Sequence, residues 1–242
     1  MENNTAAPIV QGVLFDIDDT LVDLETAMGR TLHHIGADTL AHLSEAEWAE
    51  YKQLYTRDPH GYYDQFLAGK LSFTEQRIRR ARHAQASFLA EPLEGEAAAR
   101  WNHAYEAILP LHFEPYDDVL PVLDELDRRG IPYGAVSNNV HDYQRAKLDK
   151  AGLQRVAALV GIDTVGVAKP DPAIYLEGAR RLGTDPERTL YVGDNPVLDA
   201  QGAESAGLVG VWLDRSGVQE SGFIGRRITS LRDVLRIVPD IR

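Results

Sequence analysis

Val13-Leu14-Phe15-Asp16-Ile17-Asp18-Asp19-Thr20-Leu21 sets three carboxylates and a hydroxyl directly after an apolar, strand-like run. Acidic side chains crowded at the mouth of a sheet repel one another and lose hydration, so they need a cation, a shared proton or a positive side chain to coexist. That requirement marks the segment as a site candidate. Strand side chains alternate, so Asp16 and Asp18 project to one side if the extended geometry persists, while Ile17 turns back toward the core.

Outward from this stretch, the 242 residues show two textures. From Val10 to Ile17, and again from about Ile131 to Arg242, short β-rich runs alternate with helical stretches, which predicts an α/β fold with a parallel sheet. Strands are expected at Gly12 to Ile17, Pro132 to Ser137, Ala158 to Gly161, Thr189 to Val192 and Leu208 to Leu213. A helix over Asp118 to Arg129 ends at Gly130, another starts at Asp171-Pro172, and a last one starts at Ser230 with an acidic relative of the capping box. From about Leu24 to Leu109 no strand is persuasive. Ser44-Glu45-Ala46-Glu47 and Ser72-Phe73-Thr74-Glu75 read as capping boxes, so this block is expected to be an all-helical insertion, a lid near the carboxyl end of the first strand.

Composition narrows the function classes. The formal net charge of −12 opposes nucleic acid and anionic membrane surfaces, and the absence of cysteine removes thiolate and Cys-based metal chemistry. The densest basic run, Arg77, Arg79, Arg80 and Arg82, reads as a solvated helical face. The first eight residues lack a basic and apolar leader pattern, and no stretch approaches the roughly 20 apolar residues of a membrane helix. A cytoplasmic protein, monomeric or homodimeric, is the expectation.

Three later segments end predicted strands with chemistry. Val136-Ser137-Asn138-Asn139 offers a hydroxyl and amides suited to phosphate oxygens, or simply a strand-ending turn. Ala168-Lys169-Pro170-Asp171-Pro172 offers a cation, or a helix start with an exposed lysine. Tyr191-Val192-Gly193-Asp194-Asn195-Pro196-Val197-Leu198-Asp199 offers two more acids, although Asp194 also reads as an N-cap and Asp199 as a solvated helical residue. In an open parallel sheet these segments converge on one rim.

The order and spacing resemble the haloacid dehalogenase (HAD) superfamily: Asp16-Ile17-Asp18-Asp19-Thr20, then Ser137, then Lys169, then Gly193-Asp194 with Asp199. The helical block resembles the α-helical cap of that family. The resemblance implies a Rossmann-like parallel-sheet core at residues 1–22 and 112–242 with a cap at 23–111. It implies Asp16 as the nucleophile that forms an aspartyl-phosphate and Asp18 as the acid and then the base. It implies Mg²⁺ held by Asp16, Asp194 and the backbone carbonyl of Asp18, with Asp199 beside it. Lys169, Ser137 and the backbone around Asp18, Asp19 and Asn138 would orient the phosphoryl group of a small phosphorylated metabolite.

Asp18 separates the branches. The 2-haloacid dehalogenases of the family resemble Asp-x-Tyr-Gly-Thr and lack an acid at this position, so its carboxylate favours a Mg²⁺-dependent phosphatase. A phosphomutase, a dehalogenase and a non-catalytic binding module are the alternatives. Asp19 stands where many relatives carry Gly, so either the turn needs no positive φ or Asp tolerates it. Tyr62-Tyr63 and His33-His34 are packing residues on this reading, and the histidine spacing gives no support for zinc.

Overall fold

The computed structural model describes residues 10–89, 92–217 and 222–238, so the reading of the first eight residues lies outside them. The chain forms two units: one runs to Asp23 and resumes at Pro115, and the other is Leu24–Glu114.

Among the described residues, Leu24–Glu114 contains helices joined by turns and no strand: α1 Leu24–Gly36, α2 Glu45–Thr56, α3 Tyr62–Leu67, α4 Phe73–Gln85 and α5 Gly95–Ile108, followed by a 3₁₀ turn at Leu109–His112. Both capping boxes form, with Ser44 N donating to Glu47 Oε2 at 2.8 Å and Ser72 N to Glu75 Oε2 at 2.8 Å. The solvated reading of the basic run holds only for Arg79 and Arg82, because Arg77 and Arg80 are buried. Arg80 closes the carboxyl end of α2, where carbonyls lack helical partners: its Nε and Nη2 donate to Tyr55 O at 2.9 and 2.7 Å. Arg77 donates to Glu106 Oε1 at 2.6 Å and Asn102 Oδ1 at 3.0 Å. Each guanidinium keeps the partners that make its burial tolerable, which helix periodicity alone does not reveal. His33 and His34 are exposed, with His33 lying against Trp48, and Tyr62 and Tyr63 are half-buried.

The other unit carries a six-stranded sheet of order β3-β2-β1-β4-β5-β6, every neighbouring pair parallel. Its strands are β1 Gly12–Phe15, β2 Tyr133–Val136, β3 Ala158–Val160, β4 Thr189–Gly193, β5 Val209–Leu213 and β6 Arg226–Ile228. The central strands β1 and β4 are buried throughout and mostly apolar, as expected where both faces of a parallel sheet are covered, and the Thr189 and Tyr191 hydroxyls of β4 are hydrogen-bonded. Strand β6 escapes the sequence reading because Arg-Arg-Ile has no apolar run; pairing with β5 alone makes it a strand. The first strand stops at Phe15 rather than Ile17, as the amides of Leu21 and Val22 both turn back onto Ile17 O at 2.9 Å.

The helices of this unit are α6 Val119–Arg129, α7 His141–Lys150, α8 Ile162–Val165, α9 Pro172–Leu182, α10 Gly202–Ser205 and α11 Val234–Ile237. Gly130 closes α6 with φ 68°, and Asp171 caps α9 by accepting from Ala173 N at 2.9 Å. At Ser230 a cap forms but not the expected box. Its Oγ accepts from Arg232 N at 3.2 Å, while Asp233 turns to Arg236, and a 3₁₀ turn precedes α11. Leu14, Val136, Val160 and Tyr191 of the sheet pack with Ile174 and Tyr175 of α9 and Ala203 of α10. No described helix is long and apolar enough to cross a membrane.

Phe15 is in register with Ala135 on β2 and with Val192 on β4. The chain therefore leaves all three strands within a residue of one level, at Asp16, Ser137 and Asp194. Strand order reverses between β1 and β4, and the crevice outside the carboxyl ends at such a reversal is where open α/β sheets bind ligands.

Candidate active site

Lys169 is the hub of the rim. Its Nζ donates to Asp16 Oδ1 at 2.6 Å, Asp199 Oδ1 at 2.7 Å and Tyr191 OH at 3.1 Å, so all three ammonium hydrogens are spent. The exposed-lysine reading is wrong: Lys169 is 6% exposed. Asn138 fixes its backbone, accepting from Lys169 N at 2.6 Å and donating from Nδ2 to Lys169 O at 3.1 Å.

The Gly193-Asp199 segment corrects two further readings. Asn195, not Asp194, caps the π-helical turn Pro196–Gln201, its Oδ1 accepting from Val197 N at 3.0 Å and Leu198 N at 2.8 Å. Asp199 is not solvated but 1% exposed, and its Oδ2 accepts from Asn195 N at 2.9 Å. Gly193 is required by this packing, since a Cβ there would lie 2.2 Å from Asp199 Cγ. Trp212 Nε1 donates to Asp194 O at 2.9 Å and holds that main chain.

Asp18 turns toward α7. Gln144 Nε2 donates to Asp18 Oδ2 at 2.9 Å and to Ser137 Oγ at 2.6 Å, and Lys147 Nζ pairs with Asp18 Oδ1. Asp19 takes φ 59°, so the turn does need the left-handed region and Asp tolerates it. The Asp19 amide bonds Val22 O at 2.8 Å, which removes it from the expected phosphate donors.

The donor set fits a hard divalent cation. One carboxylate oxygen from each of Asp16, Asp194 and Asp199 lies within 4.8 Å of the others, an all-oxygen cluster of the type magnesium takes. Burial, opposed by Lys169 and reinforced by Asp199 and Asp18, pushes the Asp16 carboxyl up to about 7. Asp194 is open to solvent as a residue, but its carboxyl is crowded. Loss of hydration and the charges of Asp16, Asp199 and Asp19 hold it well above the usual carboxylate range. Burial disfavours charge on Lys169, yet Asp16 and Asp199 outweigh it and raise the ammonium well above its ordinary value. Three acids around one ammonium make a cluster whose excess negative charge a cation would offset.

The structure brings Asp16, Lys169, Asp194 and Asp199 into one cluster, with Ser137, Asn138 and Asp18 linked to its edge. Sequence reading missed Gln144, Lys147, Tyr191 and Asn195. A signal existed for the first two: Gln144 lies four residues before the buried Leu148 and Lys147 one before it, so both border the face of α7 that packs inward.

A haloacid dehalogenase-like hydrolase family model matches residues 10–207. The chain belongs to this family. The hydrolase is 30% identical over 213 residues to the glyceraldehyde 3-phosphate phosphatase of Methanopyrus kandleri, covering 88% of this chain and 87% of that protein. It is 27% identical over 209 residues to the (S)-2-haloacid dehalogenase of Pseudomonas fluorescens, covering 85% of each. Among solved structures, a HAD-hydrolase of Bacillus subtilis bound to magnesium shares the fold with a TM-score of 0.77 at 22% identity, covering 95% of this chain and 99% of that one.

Proposed function

We propose that this hydrolase is a Mg²⁺-dependent phosphomonoesterase that cleaves a small phosphorylated metabolite. The observation that carries the reading is Asp18, a carboxylate two residues beyond Asp16 and tied through Gln144 to the Ser137 hydroxyl. The phosphatase relative, similar along most of its length, supports the same choice.

On this reading an Asp16 carboxylate oxygen attacks phosphorus as the P–O bond to the alcohol breaks, forming an aspartyl-phosphate. Asp18 gives its proton to the departing alkoxide. It then takes a proton from the water that attacks the phosphoryl group, releasing inorganic phosphate and the Asp16 carboxylate. Lys169 offsets the charge of Asp16 and Asp199 and aims the nucleophile, because its three hydrogens already point at Asp16, Asp199 and Tyr191. Phosphoryl oxygens are left to the Ser137 hydroxyl and the main chain at Asp18 and Asn138. Asp16 and Asp194, with the Asp18 carbonyl and Asp199 beside them, would hold Mg²⁺, which supplies charge neutralisation for the phosphoryl oxygens. The helical unit is the proposed source of substrate selectivity.

Magnesium-supplemented hydrolysis of p-nitrophenyl phosphate that collapses in Asp16→Asn tests the proposal, and normal turnover in that variant sinks it. The dehalogenase relatives support a second reading, for which metal-independent halide release from 2-chloropropionate is the decisive product. Product analysis with a hexose 1-phosphate separates phosphate release from isomerisation.

A further inference from the structure

We infer that the arginine-lined cavity shared by β6 and α11 is a binding site for a small phosphate-bearing molecule, separate from the carboxylate cluster at the ends of β1 and β4. The inference does not depend on which reaction that cluster performs.

The cavity has a volume of about 650 Å³, within the span of roughly 300–1,000 Å³ that small-molecule sites occupy. Arg226, Arg227, Thr229 and Arg236 line it, and Ile228 and Ile237 supply an apolar wall. No residue of the carboxylate cluster borders it, and β5 lies between its strand and β4. Its charge runs against that of the chain: residues 226–236 carry four arginines and one aspartate, while the whole sequence has a net charge of −12. Asp233 also lines the cavity and Asp214 touches Arg227, yet three guanidiniums against two carboxylates leave a positive excess.

Two of the guanidiniums are held in place before any ligand arrives. Arg227 Nε donates to Asp214 Oδ2 at 3.0 Å with Nη2 on the same oxygen, and Asp214 is itself fixed by the amides of Ser216 and Gly217, each at 3.1 Å. Arg236 Nη1 donates to Asp233 Oδ1 at 2.8 Å. A guanidinium carries five N–H donors, so neither bond set exhausts its arginine. The planar fork matches phosphate oxygens, and an ordered fork gives up less freedom on binding than a free one. Charges on an edge strand also discourage pairing with another chain. That accounts for Arg226 but not for Arg236, which reaches the same cavity from a helix, nor for the ordering of Arg227, which repulsion does not need.

Calorimetric titration of the full chain with pyrophosphate, in chelator so that no metal-loaded cluster competes for the probe, tests the site. Arg226→Ser and Arg236→Ser are each expected to weaken binding about tenfold, the size of a lost hydrogen bond between charged groups. Arg232→Ser makes the same change of net charge in the same segment but lies outside the cavity, and is expected to weaken binding less than about twofold. Amide NMR shifts locate the probe independently of affinity, with the largest changes expected at Ile228, Thr229 and Ile237. Equal losses in all three variants would reduce the effect to diffuse charge attraction and overturn the inference. Shifts confined to Ser137 and Asn138 would place the probe on the catalytic rim and overturn it too, as would the absence of heat and shifts at millimolar pyrophosphate.

Discussion

The Asn138 side chain brackets the main chain of Lys169, accepting from its N–H at 2.6 Å and donating to its carbonyl at 3.1 Å. A residue expected to face phosphate thus spends its side chain on holding the lysine loop. Asn138→Ala leaves two buried backbone groups without partners, and a loss of about 1–3 kcal/mol in urea unfolding is expected. Turnover should fall as well, since the Lys169 ammonium loses its fixed approach to Asp16. Unchanged stability would show that the bracket carries no energy.

Tyr191 OH accepts from Lys169 Nζ at 3.1 Å and donates to Val136 O at 3.0 Å. Tyr191→Phe keeps the ring in the core and removes both bonds. Steady-state kinetics should show kcat reduced by about tenfold, the size of a lost hydrogen bond to a charged group, with KM little changed. A KM effect alone would mean that Lys169 contacts substrate without help from the tyrosine.

Asp118 joins three parts of the sheet unit. Arg215 Nη2 and Nη1 reach its two oxygens at 2.9 and 3.1 Å, Ser230 Oγ donates at 2.8 Å and Leu231 N at 2.9 Å. Burial works against ionisation, but the bonds and charge of Arg215, with Leu231 and Ser230, hold the Asp118 carboxyl below its ordinary value. A depressed folded value makes the contribution fully present above the unfolded value of about 4 and removes it as pH falls through the lower folded value. The stability difference between the unaltered protein and Asp118→Asn should therefore be flat at neutral pH and shrink in acid. Unfolding curves from pH 7 down to about pH 3 measure it.

The carboxylate trio of Asp16, Asp194 and Asp199 predicts a metal-dependent melting temperature. At a hundred times its dissociation constant a cation adds about 2.7 kcal/mol, roughly 5–10 °C for a chain of this size. Asp194→Asn should abolish the magnesium shift, and chelator should reverse it in the unaltered protein. A full shift in Asp194→Asn would place the cation elsewhere.

Much of this was legible before folding. The largely apolar runs leading to Asp16, Ser137 and Asp194 mark β1, β2 and β4, because a strand buried on both faces is mostly apolar along its length and its charged groups gather where it leaves the sheet. Ser44, Ser72 and Asp171 announced helix starts through local hydrogen bonds. Strand β6 was not legible, since an edge strand of Arg-Arg-Ile owes its form to its neighbour. Nor was the burial of Arg77 and Arg80, whose partners come from α2 and α5.

By itself the sequence determined which chemical groups exist and in what order the strands deliver them, because strand and helix periods and caps act over a few residues. Tertiary structure alone decided how those groups are spent. It gave all three hydrogens of Lys169 to protein partners, turned Asn138 onto a backbone, buried Asp199 against Gly193 and brought Lys147 to Asp18 across 129 residues. A side chain has few hydrogen-bonding positions, and only the packing of distant segments determines which partner reaches them first.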